Sequence, residues 1–364
     1  MTGSQSKLTP VIRSFNRGLR CRNPLMLVFA VGLTAAVMLL VQWVVTSGAY
    51  TTVLAERLML RSIHDDDIHV SYVTARLKRD PPDGTVVYVL GGSASNEMLA
   101  SPDSLGAEIS ARCGMWVQVY TLAACAQTFG QSLAVIDNLP PGRGLVVIGV
   151  SPNRFAYDSK VDEQELEGRR YLMRSGALRR AITARSGTGP WAWTIIPGIM
   201  EYATTWARRF KRQLVRGDLP RTSYERLRYT KELVKTLTQK RELVRQAMRR
   251  GVPHFQLTFS GNAALLEEAV KLCQRKGFTP LLMEQPFNSA VIGHAWDGAV
   301  GVYRPFCRGL AAEYGITYID PARRAGLVNA DFADLQHLVD SGRNKWQPQM
   351  AQAIAAELSA RSRP

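Results

Sequence analysis

The sequence predicts an α/β protein in which a doubly wound, mainly parallel sheet of five strands follows one transmembrane helix. Five short, almost continuous apolar runs alternate with amphipathic helical patterns. Such runs are typical of strands buried on both faces of a parallel sheet, and their alternation with helices favours a doubly wound arrangement. The runs are VVYVL (86–90), WVQVY (116–120), LVVIGV (145–150), PLLM (280–283) and ITYI (316–319).

The first element is an apolar segment at 25–46, which contains no charged residue. Its length matches the roughly 20 residues that cross a bilayer core as a helix, so we predict a transmembrane signal anchor. The tail at 1–24 is basic and has no acidic residue, and the positive-inside rule keeps such a tail in the cytoplasm. We therefore expect a single-pass protein of the bacterial inner membrane with a periplasmic main domain. Cleavage near Ser47 is the alternative, but signal peptides usually have shorter apolar cores.

The charge of the chain is concentrated in blocks. The formal net charge is +16, and the segment 168–216 is rich in Arg and Lys with Glu201 as its only acid. Blocks of one sign indicate attraction to an anionic surface or polymer. Nucleic acid is disfavoured as a partner, because the sequence has no zinc-finger spacing, ribonucleoprotein motif or basic-zipper pattern and begins with an anchor.

Residues 47–80 are predicted to form a juxtamembrane connector. The connector contains HDDDIH (64–69), which suggests either a metal site or a solvated polar segment; we favour the solvated segment because nothing supplies a rigid scaffold for ligands. The turn signal PPDG (81–84) opens the exported domain at 81–364. Helical patterns between and after the strands lie at 95–112, 128–138, 261–276, 302–314 and 346–359.

A long, mainly helical insertion at about 156–255 separates the third strand from the fourth. It contains a helical pattern at 223–250, and we expect one face of that helix to pack on the sheet. The stretch PWAWTIIPGIMEYATTW (190–206) is followed directly by basic residues. It is expected either to cap the domain or to lie in the membrane interface, as amphipathic basic helices do.

Two motifs carry the chemistry. Ser93 follows the first strand through the glycine pair Gly91-Gly92, and Asp334 and His337 follow the fifth strand three positions apart. Ligands of open α/β sheets gather at the carboxyl ends of the strands, so these motifs are expected on one rim. A serine hydroxyl becomes a good nucleophile when a histidine takes its proton, and a carboxylate that orients the histidine strengthens that base.

These residues resemble the SGNH/GDSL hydrolase superfamily: GGS after strand one, DLQH followed by LVDSGRNKW, and five parallel strands, over about 81–358. One anchor and an exported domain are similar to proteins of polysaccharide O-acetylation and teichoic-acid D-alanylation. The resemblance implies a flavodoxin-like SGNH fold, with Ser93 as nucleophile, His337 as general base and then acid, and Asp334 as the residue orienting it. Ser95 is the less favoured nucleophile.

The resemblance also implies an oxyanion hole made by the Ser93 N–H, a backbone N–H after strand two and an asparagine after strand three. The second block reads TLAACAQTFGQS, where the family has glycine, so Ala124 or Ala126 is the candidate. In VVIGVSPNRF, strict spacing from Gly149 selects Ser151, but the asparagine itself lies two residues later, and Asn153 is favoured. From LLMEQPFNS, Glu284 and Asn288 are expected either on the rim, in reach of substrate, or in structural roles at the entry of the next helix.

The sequence thus predicts a membrane-anchored serine O-acyltransferase or esterase that modifies a cell-envelope or exported polysaccharide through an acyl-serine intermediate. No metal or cofactor is expected. The expected partners are the glycan, the inner membrane and a multispanning acyltransferase. The alternative is a non-catalytic SGNH-fold carbohydrate-binding or assembly protein, and a secreted lipase or thioesterase is a third, less favoured reading.

Overall fold

The structure is a computed structural model that describes residues 24–56, 66–187, 195–216 and 233–361. The chain divides into two compact units, Met1–Val44 and Val45–Pro364. The predicted anchor is helical over Pro24–Ser47, and its segment Leu25–Ser47 has a mean hydropathy of 2.4. Among the described residues it is the one helix long and apolar enough to span a membrane.

The sheet is all-parallel, and its strand order is β2-β1-β3-β4-β5. This is the flavodoxin-like order of a doubly wound sheet, so the predicted fold class is confirmed. The strands lie within one or two residues of the predicted runs, because buried parallel strands are continuously apolar. Their bounds are β1 Thr85–Leu90, β2 Val117–Thr121, β3 Gly144–Val150, β4 Phe278–Glu284 and β5 Thr317–Ile319.

Strand β1 lies at the topological switch point, because its neighbours β2 and β3 lie on opposite sides of it. Its alternate side chains enter two separate cores: Val86, Tyr88 and Leu90 on one face, Val87 and Val89 on the other. Helices must therefore cover both faces. The crevice that opens between the carboxyl ends of β1 and β3 is where such sheets bind ligands.

The helices that follow the anchor differ from the sequence patterns mainly in where they begin. The pattern at 95–112 is two helices, because Ser101 caps a new helix whose first residue is Pro102. The described α-helices after the anchor are Tyr50–Val53, Asp66–Arg79, Ser93–Glu97, Pro102–Cys113, Phe129–Asn138, Pro152–Phe155, Ser159–Glu165, Gly176–Ser186, Ile196–Arg216, Leu237–Gln246, Val252–Arg275, Ser289–Ile292, Asp297–Tyr314, Ala322–Ala325 and Asp340–Arg361.

The insertion departs from the prediction of a helix over 223–250. Residues 223–232 lie outside the described residues, and the helix that follows begins only at Leu237, where Thr236 forms a capping box with Gln239. It does not pack on the sheet as expected: Leu243 and Val244 pack against a small cluster of Ile292, Trp296 and Leu335. Of the Trp-rich stretch, residues 190–194 also lie outside the described residues, and the membrane-interface interpretation stays a prediction.

Candidate active site

Ser93 is the first residue of the short helix Ser93–Glu97, directly beyond the end of β1. The turn before it requires glycine at position 91: its φ is +145°, and a Cβ there would lie 2.1 Å from the Ser95 Oγ. Ser93 is half-buried, whereas Ser95 is fully buried and accepts a hydrogen bond from Gln285 at 2.6 Å. The displayed hydroxyl is therefore that of Ser93.

Asp334 and His337 lie in a tight loop, residues 332–338, which we call the catalytic loop. Its ends pair as an antiparallel bridge, and the Ala333 N–H donates to the His337 carbonyl at 2.8 Å. The Asp334 Oδ1 accepts from the backbone N–H groups of Gln336 at 2.9 Å and His337 at 3.0 Å. One carboxylate oxygen thus closes the turn and leaves the other free for the imidazole.

The three residues form one hydrogen-bonded chain at the carboxyl edge of the sheet. The His337 Nε2 lies 2.7 Å from the Ser93 Oγ, and the His337 Nδ1 lies 2.8 Å from the Asp334 Oδ2. Ser93 and His337 are 244 positions apart in sequence, and the sheet brings them together. The side chains of His337 and Asp334 are 17% and 15% exposed, so the chain is sheltered but reachable.

The pKa of Asp334 fits its role in this chain. Burial raises that pKa, but the hydrogen bonds and charge of His337 and the two backbone N–H groups outweigh it and lower the pKa to about 2. Asp334 is therefore ionised at neutral pH and accepts a hydrogen bond from the His337 Nδ1–H. The Nε2 is left as the acceptor for the Ser93 hydroxyl, which is the tautomer that a general base requires.

A buried ion pair links Arg343 to the helix Ser93–Glu97, which we call the nucleophile helix. Arg343 also contacts the catalytic loop. The Arg343 guanidinium contacts the Glu97 carboxylate, and both residues are almost fully buried. The same guanidinium donates to the Leu338 carbonyl at 2.6 Å, one residue after His337. Arg343 thus spans the two halves of the site. It lies within LVDSGRNKW, but nothing in the sequence pairs it with Glu97.

The catalytic loop is also held from the side of the insertion. The Lys240 ammonium is buried and donates to the Asn329 Oδ1 at 2.9 Å and to the Phe332 carbonyl at 2.8 Å. Asn288, expected on an exposed rim, is 1% exposed and donates to the Asn329 Oδ1 at 2.9 Å and the Asp334 carbonyl at 3.3 Å. The exposed position predicted for Asn288 is therefore wrong, and the residue supports the loop instead.

The exposed position predicted for Glu284 is also wrong. Its side chain is fully buried at the end of β4. The carboxylate accepts from the Tyr303 hydroxyl at 2.7 Å and from the Arg304 Nε at 2.9 Å, and it also contacts the Tyr318 hydroxyl. With its oxygens engaged by these donors, Glu284 is a structural centre of the β4–β5 side.

The oxyanion-hole candidates separate clearly. The Ala124 N–H is not available, because it donates to the Gly91 carbonyl at 3.0 Å, so the choice of Ala124 is wrong. Ala126 is exposed, its N–H donates to no acceptor within the described part of the chain, and it is the one non-glycine residue there with a positive φ, 53°. A left-handed conformation favours glycine, which accords with alanine standing in a glycine position.

Asn153 reaches the same rim from the end of β3. Its side chain is exposed, and the Nδ2 donates to the Gln336 Oε1 at 2.8 Å, beside His337. Ser151, the alternative by spacing, is 1% exposed. Three donors thus remain candidates for an oxyanion hole: the Ser93 N–H at the start of its helix, the Ala126 N–H and the Asn153 amide.

No protein-family model matches the chain, and no curated protein matches it. Function is therefore inferred from the side chains at the carboxyl edge of the sheet.

The HDDDIH segment is described only from Asp66 onward, and His64 and Asp65 lie outside the described residues. The His69 Nδ1 lies 2.5 Å from the Glu56 Oε1, and Asp67 accepts from the Arg170 Nε at 2.8 Å. Across the ranges that the structure describes, no group of three or more His, Cys, Asp or Glu side chains is arranged to hold a metal ion.

Proposed function

We propose that the chain is a membrane-anchored SGNH-type serine O-acyltransferase or esterase that acts on a cell-envelope or exported polysaccharide. The observation that carries the proposal is the hydrogen-bonded chain from Ser93 through His337 to Asp334, at 2.7 and 2.8 Å. Distances of this kind are those at which a histidine can take a hydroxyl proton. The half-buried Ser93 at the switch point of the sheet offers the hydroxyl to a ligand.

The acyl group moves in two steps. The Ser93 Oγ attacks the acyl carbonyl carbon while the His337 Nε2 takes its proton, and the imidazolium that forms is stabilised by Asp334. The negative oxygen of the tetrahedral intermediate accepts from the Ser93 N–H, the Ala126 N–H and the Asn153 amide. Collapse breaks the bond to the leaving alcohol, which takes the proton from His337 and leaves an acyl-Ser93 ester. A sugar hydroxyl or water then attacks that ester while His337 takes its proton; the acyl–Oγ bond breaks, His337 returns the proton to the Ser93 Oγ, and the acylated sugar or the free acid leaves.

Transfer to a glycan is favoured over simple hydrolysis by the N-terminal span. A domain tethered to a bilayer can receive acyl groups from a multispanning acyltransferase in that membrane. The basic, acid-free tail at 1–24 supports a cytoplasmic N-terminus and a periplasmic domain. The basic block at 168–216 suits an anionic lipid surface or an acidic polymer.

The direct test is turnover of a small acyl ester by the full-length protein. Ser93→Ala and His337→Ala are each expected to lower kcat by at least about 10⁴-fold. His294→Ala is the matched control, because His294 also pairs with an aspartate three positions away but is 98% exposed. Wild-type turnover in folded Ser93→Ala and His337→Ala variants would contradict the mechanism.

The competing function is a non-catalytic carbohydrate-binding or assembly protein of a polysaccharide-modification complex that keeps the same fold. The observation that favours it is the segment after β2, where Ala126 occupies a left-handed position at a cost of about 1 kcal/mol. A protein of this kind would bind an envelope polysaccharide with equal affinity before and after Ser93→Ala, and it would turn over no acyl ester.

A further inference from the structure

The segment after β2, residues 122–127, is held by one arginine of the insertion. We call this segment the oxyanion loop. The Arg170 Nη1 donates to the Ala126 carbonyl at 3.1 Å, and the Nη2 contacts the Cys125 carbonyl. Both adjacent carbonyls face this guanidinium where the backbone is left-handed at Ala126.

The contact with Cys125 fixes the orientation of the proposed oxyanion donor. The Cys125 carbonyl and the Ala126 N–H belong to the same peptide group, which is planar and trans, so the two point in opposite directions. Holding the carbonyl on Arg170 therefore aims the N–H away from Arg170. The positive charge also polarises the peptide group, which makes the N–H a better donor.

Within the oxyanion loop, Arg170 holds the Cys125–Ala126 peptide, whereas residues on either side of that peptide have other partners. At one end, the Ala123 carbonyl accepts from Asn96 of the nucleophile helix at 2.9 Å. At the other, Gln127 donates to the Leu122 carbonyl at 2.9 Å and accepts from the Gly91 N–H at 2.8 Å. Both ends are thus tied to the turn that carries Ser93.

Arg170 is in turn positioned by side chains from two helices, Asp66–Arg79 and Phe129–Asn138. Its Nε donates at 2.8 Å to the Oδ1 of Asp67, in the first turn of the helix Asp66–Arg79, and its Nη1 donates at 3.0 Å to the Gln131 Oε1. The charged pair is 20% and 38% exposed at Arg170 and Asp67. Asp67 of the HDDDIH segment thus contacts Arg170, and Arg170 contacts the oxyanion loop.

We infer that Arg170 is a positioning residue for the oxyanion hole and that Asp67 and Gln131 hold Arg170 in place. The inference rests on the proposed acyl-transfer function. Asp67 and Gln131 direct the guanidinium onto the Cys125 and Ala126 carbonyls. Without those contacts the Ala126 peptide is free to rotate, and its N–H no longer meets the oxyanion.

The first test compares Arg170→Gln with Arg169→Gln in the full-length protein in detergent micelles. Arg169 is the adjacent arginine and pairs with Glu167 and Glu201, so its variant is expected to keep wild-type kinetics. Arg170→Gln is expected to lower kcat on a small acyl ester by about 100-fold, as loss of one oxyanion donor does, with KM within about threefold. Arg170→Lys should recover about tenfold of that loss, because it keeps the charge on one carbonyl.

The second test examines whether Asp67, in the helix Asp66–Arg79, acts through Arg170. Asp67→Asn is expected to lower kcat about tenfold, as loss of a charge-assisted hydrogen bond does, and to add nothing in the Arg170→Gln background. Equal kcat in Arg170→Gln and Arg169→Gln, or full additivity of Asp67→Asn and Arg170→Gln, would overturn the inference.

Amide hydrogen exchange separates failure of this inference from failure of the proposed function. Exchange in the peptide 122–128 should accelerate in Arg170→Gln and Asp67→Asn and stay unchanged in Arg169→Gln, whether or not the protein turns over an ester. An inactive wild type would contradict the proposed function alone. Unchanged exchange in folded Arg170→Gln and Asp67→Asn proteins would contradict the positioning role alone.

Discussion

Two histidine–aspartate pairs of the same spacing lie in different surroundings. His337 and Asp334 are three positions apart with a 2.8 Å contact, and His294 and Asp297 are three positions apart with a 2.7 Å contact. The first pair is 17% and 15% exposed, and its second ring nitrogen meets Ser93. The second pair is 98% and 67% exposed, and among the described residues no hydroxyl bonds to its second ring nitrogen.

The difference shows that a histidine and an aspartate three positions apart do not by themselves indicate a functional site. An exposed ion pair is screened by water and contributes less than about 1 kcal/mol. A sheltered pair interacts more strongly because the local dielectric is lower. At Asp334 two backbone N–H groups also fix the carboxylate, so the imidazole is held in one orientation. What distinguishes the Asp334–His337 pair is the loop that encloses it and the Ser93 hydroxyl at its end.

The largest expected effect comes from breaking one pair and then the other. Asp334→Asn keeps the shape of the site but no longer selects the tautomer with a free Nε2, so kcat on a small ester should fall about 10⁴-fold. Asp297→Asn should leave kcat within about twofold. Steady-state kinetics with both variants decides the matter, and similar losses in the two would show that the surroundings do not distinguish the pairs.

Glu284 is a buried carboxylate whose charged partner is an arginine, Arg304, and not a histidine. Glu284→Gln breaks a buried ion pair with Arg304, so the free energy of unfolding should fall by about 3 kcal/mol. The kcat of the folded fraction should change little, because Glu284 does not touch the Ser93–His337 chain. Denaturant titration and ester turnover measure the two quantities. Unchanged stability combined with lost turnover would reverse the assignment and place Glu284 in the reaction.

A substitution at Asn153 tests one of the proposed oxyanion donors. Asn153→Ala removes one proposed oxyanion donor from an exposed position, so kcat should fall about 100-fold while the melting temperature stays within a few degrees. The comparison with Ser151→Ala at the buried neighbouring position is informative, since that variant should retain most of its turnover. A larger loss in Ser151→Ala than in Asn153→Ala would move the donor to Ser151.

The smallest effect concerns a buried carboxyl outside the proposed site. Burial raises the pKa of Glu165 to about 8, against hydrogen bonds from Tyr171 and Gln131. The folded state therefore favours the neutral form, and stability that is complete below the ordinary pKa of 4.5 declines as pH rises towards 8. Thermal unfolding between pH 6 and 8 should show a decline of up to about 1.4 kcal/mol per pH unit. Glu165→Gln should flatten it, and an unchanged slope would contradict the raised pKa.

The strands could be predicted because a strand that is buried on both faces is apolar along almost its whole length. Runs such as VVYVL and LVVIGV are apolar at every position, and their bounds match β1 and β3 within a residue. The start of the insertion helix could not be predicted, because Val234 fits the apolar period of the pattern at 223–250. The Lys235 N–H instead donates to the Ala333 carbonyl, a contact across 98 positions, and Thr236 caps the helix after it.

The site divides in the same way. Ser93, Asp334 and His337 were found because strand ends of a parallel sheet converge and because their side chains carry the chemistry. Glu284 and Asn288 were placed wrongly because their partners come from other elements and bury them. Arg170 was missed altogether, since its acceptors at Cys125 and Ala126 are carbonyls, which every residue has.

The most direct measurement is the rate at which a serine-reactive phosphonate labels the full-length protein, with the modified peptide identified by mass spectrometry. An activated Ser93 predicts one dominant adduct on Ser93, formed at least about 100-fold faster than in His337→Ala and at the wild-type rate in His294→Ala. No adduct on Ser93, or an adduct whose rate does not depend on His337, would contradict the account.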